Sequence, residues 1–348
     1  MMKIKYYIYN FVKNYILKTR DFIFVSFDYF FKKDKILKIM LNRMNGVYNN
    51  SLTLEATNVC NADCVFCIYG KKDDKKFYMD MNLFKKIADE FLLNSMNNNR
   101  TVSLTPTIGD PLVDPFFIER LDYLKRTNVG KVVFFTNAIN LSNKLSNKLV
   151  NDYADILDIH ISWGGYDRET YKKVMGVDKF ERALSNVKYL IKIIGETKTN
   201  FKLDISSRCS PLDYRGDVWN EFKVFQQNGL IGISKIDIFD NWGGEIDKKD
   251  LEEADLQMKY EPLKKGACKL LFQPPVIHAD GIVSACHCRD SSSSLKIGDI
   301  NSMSYTDILN SEKRLEIIKQ QQNGTFPDIC QKCNTYVSIY NKFWREAN

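Results

Sequence analysis

The stretch SLTLEATNVCNADCVFC, residues 51–67, decides how the rest of this chain is read. SLTLEAT reads as a short strand that ends at the first of three closely spaced cysteines. Cys60, Cys64 and Cys67 form a C-x3-C-x2-C run, which offers three thiolates within one loop. Three thiolates suit three irons of a cubane and leave the fourth iron open. Structural zinc asks for four ligands, commonly as two C-x2-C pairs, so three local cysteines leave it incomplete. The alternative, cysteines that fall in a loop by chance, fits poorly with their place directly after a strand.

Beyond the cysteines, helix and strand alternate. MNLFKKIADEFLLNSM (81–96) has helical apolar periodicity with Asp80 placed as its N-cap. TVSLTP (101–106) is a strand, PFFIERLDYLKR (115–126) a helix, and KVVFFTN (131–137) a strand rich in β-branched and aromatic residues. LSNKLVNDYA (145–154) reads as helix, DILDIHIS (155–162) as strand and DKFERALSNVKYLIKII (178–194) as an amphipathic helix. FKLDISS (201–207), VWNEFKVFQQNG (218–229) and KIDIFD (235–240) give strand, helix and strand again. Six strands with helices between them imply an α/β fold with a parallel sheet and right-handed crossovers. Residues 51–240 are short for an eight-unit barrel of about 250 residues, so a partial (β/α)6 barrel of the TIM type is expected. In such folds ligands sit at the C-terminal ends of the strands, where the cysteine loop falls.

Composition narrows the function classes. With 348 residues, 44% apolar and 13% aromatic, the chain can bury one large core and a smaller appendage. Nine cysteines are too sparse for a small secreted disulfide scaffold, and their clustering favours metal ligation in a reducing compartment. No apolar run reaches the length of a membrane span, and MMKIKYYIYN leads to no small-residue cleavage site, so the cytoplasm is the expected location. The net charge of +7 equals the balance of residues 1–46 alone, which hold ten Lys/Arg against three Asp. The remainder is neutral, which argues against a nucleic-acid surface spread over the fold. Two readings of residues 1–46 stay open. One is a basic helical pair lying on an anionic membrane, which would place the protein at the inner face; the other is a helical extension packed on the domain.

With these residues in view, the chain resembles the radical S-adenosylmethionine (SAM) superfamily, and within it the SPASM/twitch subgroup. The resemblance covers residues 51–336 and runs through CNADCVFC, IGDPLVDP, TNA, HISWGGYDRETYKKVMG, FERALSNV and the distal cysteines. It implies a [4Fe–4S] cluster on Cys60, Cys64 and Cys67 whose open iron binds SAM. Reductive cleavage of SAM would give a 5′-deoxyadenosyl radical that takes a hydrogen atom from substrate. A one-electron donor such as flavodoxin or ferredoxin is implied too. Phe66 matches the aromatic beside the adenine. Gly109, Asp110 and Pro111 match the family's Gly-Glu-Pro strand end that binds the methionine amino group, with a carboxylate one methylene shorter. Ser162 matches the serine that contacts the SAM ribose or carboxylate. The usual Ile-Asp-Gly that follows is replaced here by Trp163, Gly164 and Gly165, so Trp163 is either a stacking surface for substrate or a core residue. Arg208 is placed to reach the SAM carboxylate and Asp204 to face the ribose, or both are solvated strand-end charges.

After residue 240 the punctuation changes. The charged linker EIDKKDLEEADLQMKYEPLKKG (245–266) leads to Cys268, and Asp280-Gly281 marks a hairpin turn. Residues 241–348 are expected to form a twitch/SPASM-like domain and a C-terminal helix, after the extension 1–46 and the barrel 51–240. The resemblance assigns Cys268, Cys286, Cys330 and Cys333 to a second, auxiliary [4Fe–4S] cluster; a four-thiolate zinc site is the alternative. Cys209 and Cys288 are left over. The default for both is a small inert apolar residue, while a thiol at a strand end offers Cys209 a second role as hydrogen donor to a substrate radical.

Three function classes follow. The first is oxidation or epimerisation of a small-molecule or lipid-linked carbohydrate or cyclitol, as in the family of 2-deoxy-scyllo-inosamine dehydrogenase. The second is modification of a peptide or protein, and the third an iron–sulfur scaffold without catalysis. The SAM-pocket motifs at several strand ends speak against the third. The first is expected, as a dehydrogenation.

Overall fold

The structure is a computed structural model that describes residues 2–48, 50–73, 75–93, 100–105, 107–127, 129–210, 214–287 and 289–341. Cys288, Pro106, residues 94–96 and most of the expected C-terminal helix (342–348) lie outside the described residues.

The core is one nine-stranded sheet. Strands β1 (Ser51–Leu54), β2 (Thr101–Ser103), β3 (Lys131–Thr136), β4 (Leu157–Trp163), β5 (Lys202–Ser207) and β6 (Gly232–Lys235) lie side by side in chain order, each parallel to the next. Helices α2 (Met81–Leu93), α3 (Phe117–Arg126), α4 (Asn143–Tyr153), α5 (Arg168–Met175), α6 (Phe180–Thr197) and α7 (Asp217–Gln227) connect them. Asp80 caps α2 as expected, its Oδ1 accepting the Asn82 N–H at 2.8 Å.

The strands alternate, as a sheet with only one covered face does. Val132, Phe134 and Thr136 of β3 are buried, as are Leu157, Ile159, Ile161 and Trp163 of β4. This face meets the helices: Phe134 packs edge-on against Phe117, with ring centroids 5.2 Å apart. The other face, with Phe135, Asp158, His160 and Ser162, is half-buried and forms the concave lumen of a partial (β/α)6 barrel.

The sixth strand is a correction. KIDIFD was expected to be β6, but the strand beside β5 is Gly232–Lys235, and Ile238–Phe239 leaves as β7 to pair with β8 (Gln257–Met258). Gly232 pairs with Asp204 across the ladder, and a Cβ there would stand 2.8 Å from Oδ1, so a larger residue would make that carboxylate turn aside.

The C-terminal half continues the same sheet. β9 (Val276–Ile277) pairs parallel with β1, then β10 (Ile282–Ser284) and β11 (Lys296–Asp299) follow antiparallel. α8 (Lys248–Glu253) lies before the domain, and α9 (Tyr305–Leu309), α10 (Glu312–Gln322) and α11 (Asp328–Lys332) complete it. Residues 336–341 run as irregular chain, bridging Cys268 to Ser338.

Residues 2–48 are one 47-residue helix, α1 (Met2–Tyr48), rather than a helical pair. The segment has no proline, and its first glycine is Gly46, so nothing breaks the ladder. It is anchored through Val25 and Met44, both buried, and through Tyr29, whose ring meets Tyr340 edge-on at 5.4 Å. Among the described residues no helix is long and apolar enough to cross a membrane.

Candidate active site

The cysteine loop lies at the C-terminal end of β1 and is held from four sides. The end of α5 holds it through backbone bonds, Asp63 N–H to the Met175 carbonyl and Val65 N–H to that of Val174, both 3.1 Å. Gly176 then turns with φ +71°, where a Cβ would sit 1.8 Å from the Asp63 carbonyl oxygen. Only glycine fits there, which gives the VMG end of the quoted motif a physical role. The Tyr69 hydroxyl donates to the Cys60 carbonyl at 3.1 Å, and the Trp242 indole donates to the Phe66 carbonyl at 2.7 Å.

The three half-buried thiols lie near enough to one another to interact electrostatically. Burial pushes the Cys60 thiol up to about 12, and the Asp110 carboxylate adds to it. Cys64 and Cys67 are raised as well, by burial first; for Cys64 the neighbouring cysteines add to it. Three thiolates cannot share this space without a cation, and an iron cluster supplies one. Asn137 of the TNA segment points its amide at Cys60 Sγ, 3.8 Å away, and donates to Asn61 Oδ1 at 2.7 Å. An outer donor of this kind orients a ligand.

Gly109 and Asp110 lie against this loop. Gly109 has φ +100°, and a Cβ on it would stand 2.7 Å from the Thr57 carbonyl oxygen. Asp110 is buried and its carboxylate is fully engaged. It accepts from the Thr136 hydroxyl at 2.9 Å, from Asn137 N–H at 2.7 Å and from Leu112 N–H at 2.9 Å. Burial raises its pKa while these donors oppose the rise. The shorter carboxylate therefore ties the loop to the end of β3, and Pro111 opens the short 3-10 turn that Asp110 caps. In the same motif Asp114 forms a fully buried ion pair with Arg120 at 2.6 Å, a brace that the sequence reading missed.

Arg208 follows β5. Its Nε is buried and has no hydrogen-bond partner among the described residues, and burial, then the Arg289 guanidinium, bring its pKa down to about 10. An orphaned buried guanidinium nitrogen near the thiols fits an incoming carboxylate such as that of SAM. The Phe66 ring is stacked on Phe239, centroids 4.9 Å apart, and the Arg208 guanidinium lies 5.8 Å from it. Ser162 lies on the concave face in register with Ser206.

Trp163 is a correction. It is 0% exposed, donates to the Gly165 carbonyl at 3.2 Å and packs among Tyr171, Phe180 and Phe222. Strand alternation sends it to the helix layer, one step out of phase with Ser162. Cys209 is also buried, 1% exposed, its sulfur 3.4 Å from the Ser207 hydroxyl.

The concave face carries a connected polar row. Lys131 pairs with Asp158 at 3.2 Å, Asp158 lies 3.4 Å from His160, and His160 lies 3.6 Å from Asp204. Asp204 accepts from the Ser234 hydroxyl at 2.6 Å, and His160 stacks on Phe135 at 4.5 Å. Burial works against the Asp204 carboxylate, yet His160 and Ser234 hold it below its ordinary range.

In the C-terminal half, burial pushes Cys330 up to about 12, with Cys268 and Cys333 adding to it. Gln321 accepts the Cys268 N–H at 2.8 Å and also hydrogen-bonds the Cys330 side chain. Cys286 follows β10 by two residues.

Comparison with known proteins agrees with this arrangement. The model of the radical SAM superfamily matches residues 54–201, and that of the SPASM iron–sulfur cluster-binding domain matches residues 268–334. The chain is 28% identical over 239 residues to a probable GTP 3′,8-cyclase of Saccharolobus islandicus, covering 67% of this chain and 72% of that one. It is 30% identical over 141 residues to the mycofactocin maturase MftC of Mycobacterium tuberculosis, covering 39% and 34%. In fold it is similar to BtrN in complex with AdoMet and 2-DOIA, with a TM-score of 0.53 and 15% identity over 82% of this chain and 92% of that one. Native anSMEcpe with bound AdoMet gives a TM-score of 0.53 and 16% identity over 78% and 84%. With the cysteine loop and the Gly109 cradle at the end of β1, the chain carries a radical SAM domain over residues 54–201 and a SPASM iron–sulfur domain over residues 268–334, and these two domains imply SAM and [4Fe–4S] clusters.

Proposed function

We propose that this radical SAM enzyme takes a hydrogen atom from a carbohydrate or cyclitol, free or lipid-linked, and leaves it oxidised. In this reading Cys60, Cys64 and Cys67 hold the cluster that meets SAM, and Cys268, Cys286, Cys330 and Cys333 hold the auxiliary cluster. When bound, these groups supply hydrogen-atom abstraction and a one-electron acceptor. The chain's own residues do the placing. Arg208 takes the SAM carboxylate, the backbone of Gly109 faces its amino group, and Ser162 its ribose or carboxylate. Phe66 borders the adenine.

The observation that carries the substrate class is the row Asp158, His160, Asp204 and Ser234. It offers alternating acceptors and donors along the concave face, as a polyol requires, and Asp204 is held ionised. Dehydrogenation is preferred over epimerisation because Cys209 is buried against Ser207. A second reading, a nucleotide substrate, is favoured by the relatives called probable GTP 3′,8-cyclase. Lys131 and Arg289 are each paired with a carboxylate, Asp158 and Asp240, an arrangement that suits a neutral polyol better than a triphosphate.

The test is release of 5′-deoxyadenosine by reconstituted, reduced enzyme with aminocyclitols, nucleotide sugars, lipid-linked sugars, GTP or peptides. Stimulation by a carbohydrate with formation of a ketone supports the proposal; stimulation by GTP or a peptide alone refutes it. Solvent deuterium in the product, lost with Cys209→Ala, would make the enzyme an epimerase.

A further inference from the structure

Thirteen of the seventeen large apolar side chains that are exposed among the described residues belong to α1. The side that meets the body carries Asp21, Val25, Asp28 and Met44, all buried, and much of its attachment is polar. Asp21 accepts from the Tyr260 hydroxyl at 2.9 Å and from Asn341 Nδ2 at 3.2 Å, and the Lys265 ammonium donates to the Ser26 hydroxyl at 3.2 Å. Tyr15, Phe22, Phe27 and Phe31 are each between 52% and 74% exposed, whereas Phe11 borders a cavity with Leu256 and Met258, and the Phe30 ring meets the Lys265 ammonium at 4.7 Å. A surface helix ordinarily turns its apolar stripe to the core. Here the larger stripe faces out and calls for another cover.

Charge identifies the cover. Residues 1–46 hold ten Lys/Arg and three Asp. Two of those acids, Asp21 and Asp28, are turned inward, beside Arg20 at 2.8 Å and Lys32 at 3.1 Å. Lys13, Lys18, Lys33, Lys35 and Lys38 are exposed, and Asp34 is the one exposed acid among the described residues of the segment.

We infer that the outward face of α1 lies in the surface of an anionic lipid bilayer. Its aromatic rings sit at the boundary of headgroups and acyl chains, and its lysines reach the lipid phosphates. The stretch from Ile8 to Phe31 presents about 35 Å of helix to the surface. A second copy of this chain is a poorer cover, because it would bring two cationic margins together with almost no acid between them.

Vesicles of phosphatidylcholine with about 30% phosphatidylglycerol are the probe. The full chain should co-sediment with them, and binding should fall about tenfold or more with neutral vesicles or at high salt. The variant Phe22→Ser/Phe27→Ser/Phe31→Ser should lose at least about tenfold in binding while keeping the wild-type melting temperature, since its targets are exposed. Phe30→Trp should shift its emission to the blue on anionic vesicles. Wild-type binding no stronger than that of the serine variant overturns the proposal. A concentration-dependent dimer that the serine variant abolishes, without lipid binding, also overturns it and assigns the face to a second copy.

Discussion

The two cysteine sites are built in opposite ways. Cys60, Cys64 and Cys67 lie within eight residues, and their loop is fastened by α5, Tyr69, Trp242 and Asn137. Cys268, Cys286 and the Cys330/Cys333 pair come from three separate places along 66 residues, and Gln321 touches Cys268 and Cys330. A local site can be assembled before the rest of the fold, whereas a dispersed one exists only when the fold is complete. The first is therefore a property of a loop and the second a property of tertiary structure.

The largest effect should separate their chemistry. Cys64→Ala should lower SAM cleavage by about a thousandfold or more, since no other group replaces the lost ligand. Cys330→Ala should leave SAM cleavage within about tenfold while abolishing the oxidised product. Iron analysis checks the same contrast: about eight irons in the reconstituted wild type, and about four when either set of cysteines is replaced. Equal loss of SAM cleavage in both single variants would break the distinction.

Next comes the scaffold behind the first site. Asp114→Ala leaves Arg120 charged and unpaired in the core and should cost about 3–5 kcal/mol in denaturant unfolding. Replacing both partners together, as Asp114→Leu/Arg120→Met, should recover much of that loss. Gln321→Leu, behind the second site, should cost about 1–3 kcal/mol by stranding the Cys268 N–H. If the second loss equals the first, the dispersed site is braced as firmly as the local one.

The smallest effect is a pH dependence at the joint between the halves. His278 Nδ1 lies 3.4 Å from Glu55 Oε1, and both side chains are buried. Burial lowers the His278 pKa, but the bond and charge of Glu55 win and leave it raised. A raised folded value means that the stabilisation is complete below the unfolded pKa of about 6.5 and fades as pH rises through the folded value. The melting temperature of His278→Gln should thus lie below wild type near pH ~6 and approach it at higher pH. A gap that does not change with pH would show that the contact works by packing alone.

What the sequence made legible follows the same division. Cys60, Cys64 and Cys67 were readable because ligand spacing within a loop is itself sequence, and the alternation in KVVFFT and DILDIHIS exposed two of the central strands. Trp163 was ambiguous because a strand end gives no sign of which face meets helices until Tyr171, Phe180 and Phe222 are in place. KIDIFD had better β composition than GISK, yet Ile238–Phe239 pairs instead with Gln257–Met258, a partner that local composition does not reveal. The Asp114–Arg120 brace and the tie from Asn137 to Cys60 were hidden for the same reason, although both lie in or beside quoted motifs. In α1 the lysines and aromatics were plain in the sequence. That Asp21 faces inward was not, because its inner partners Tyr260 and Asn341 are more than 200 residues away.

The pairing of β9 with β1 has a further consequence. The strand that carries the cysteine loop is an inner strand only because a segment more than 200 residues later lies along its free side. A chain cut after residue 240 would keep all six barrel strands yet turn β1 into an edge, baring the bond made by the Glu55 N–H to the Ile277 carbonyl at 2.8 Å. Exposed edges of this kind pair with other chains. The barrel should therefore aggregate when made alone, and its C-terminal half acts, apart from any chemistry, as the cover of its first strand.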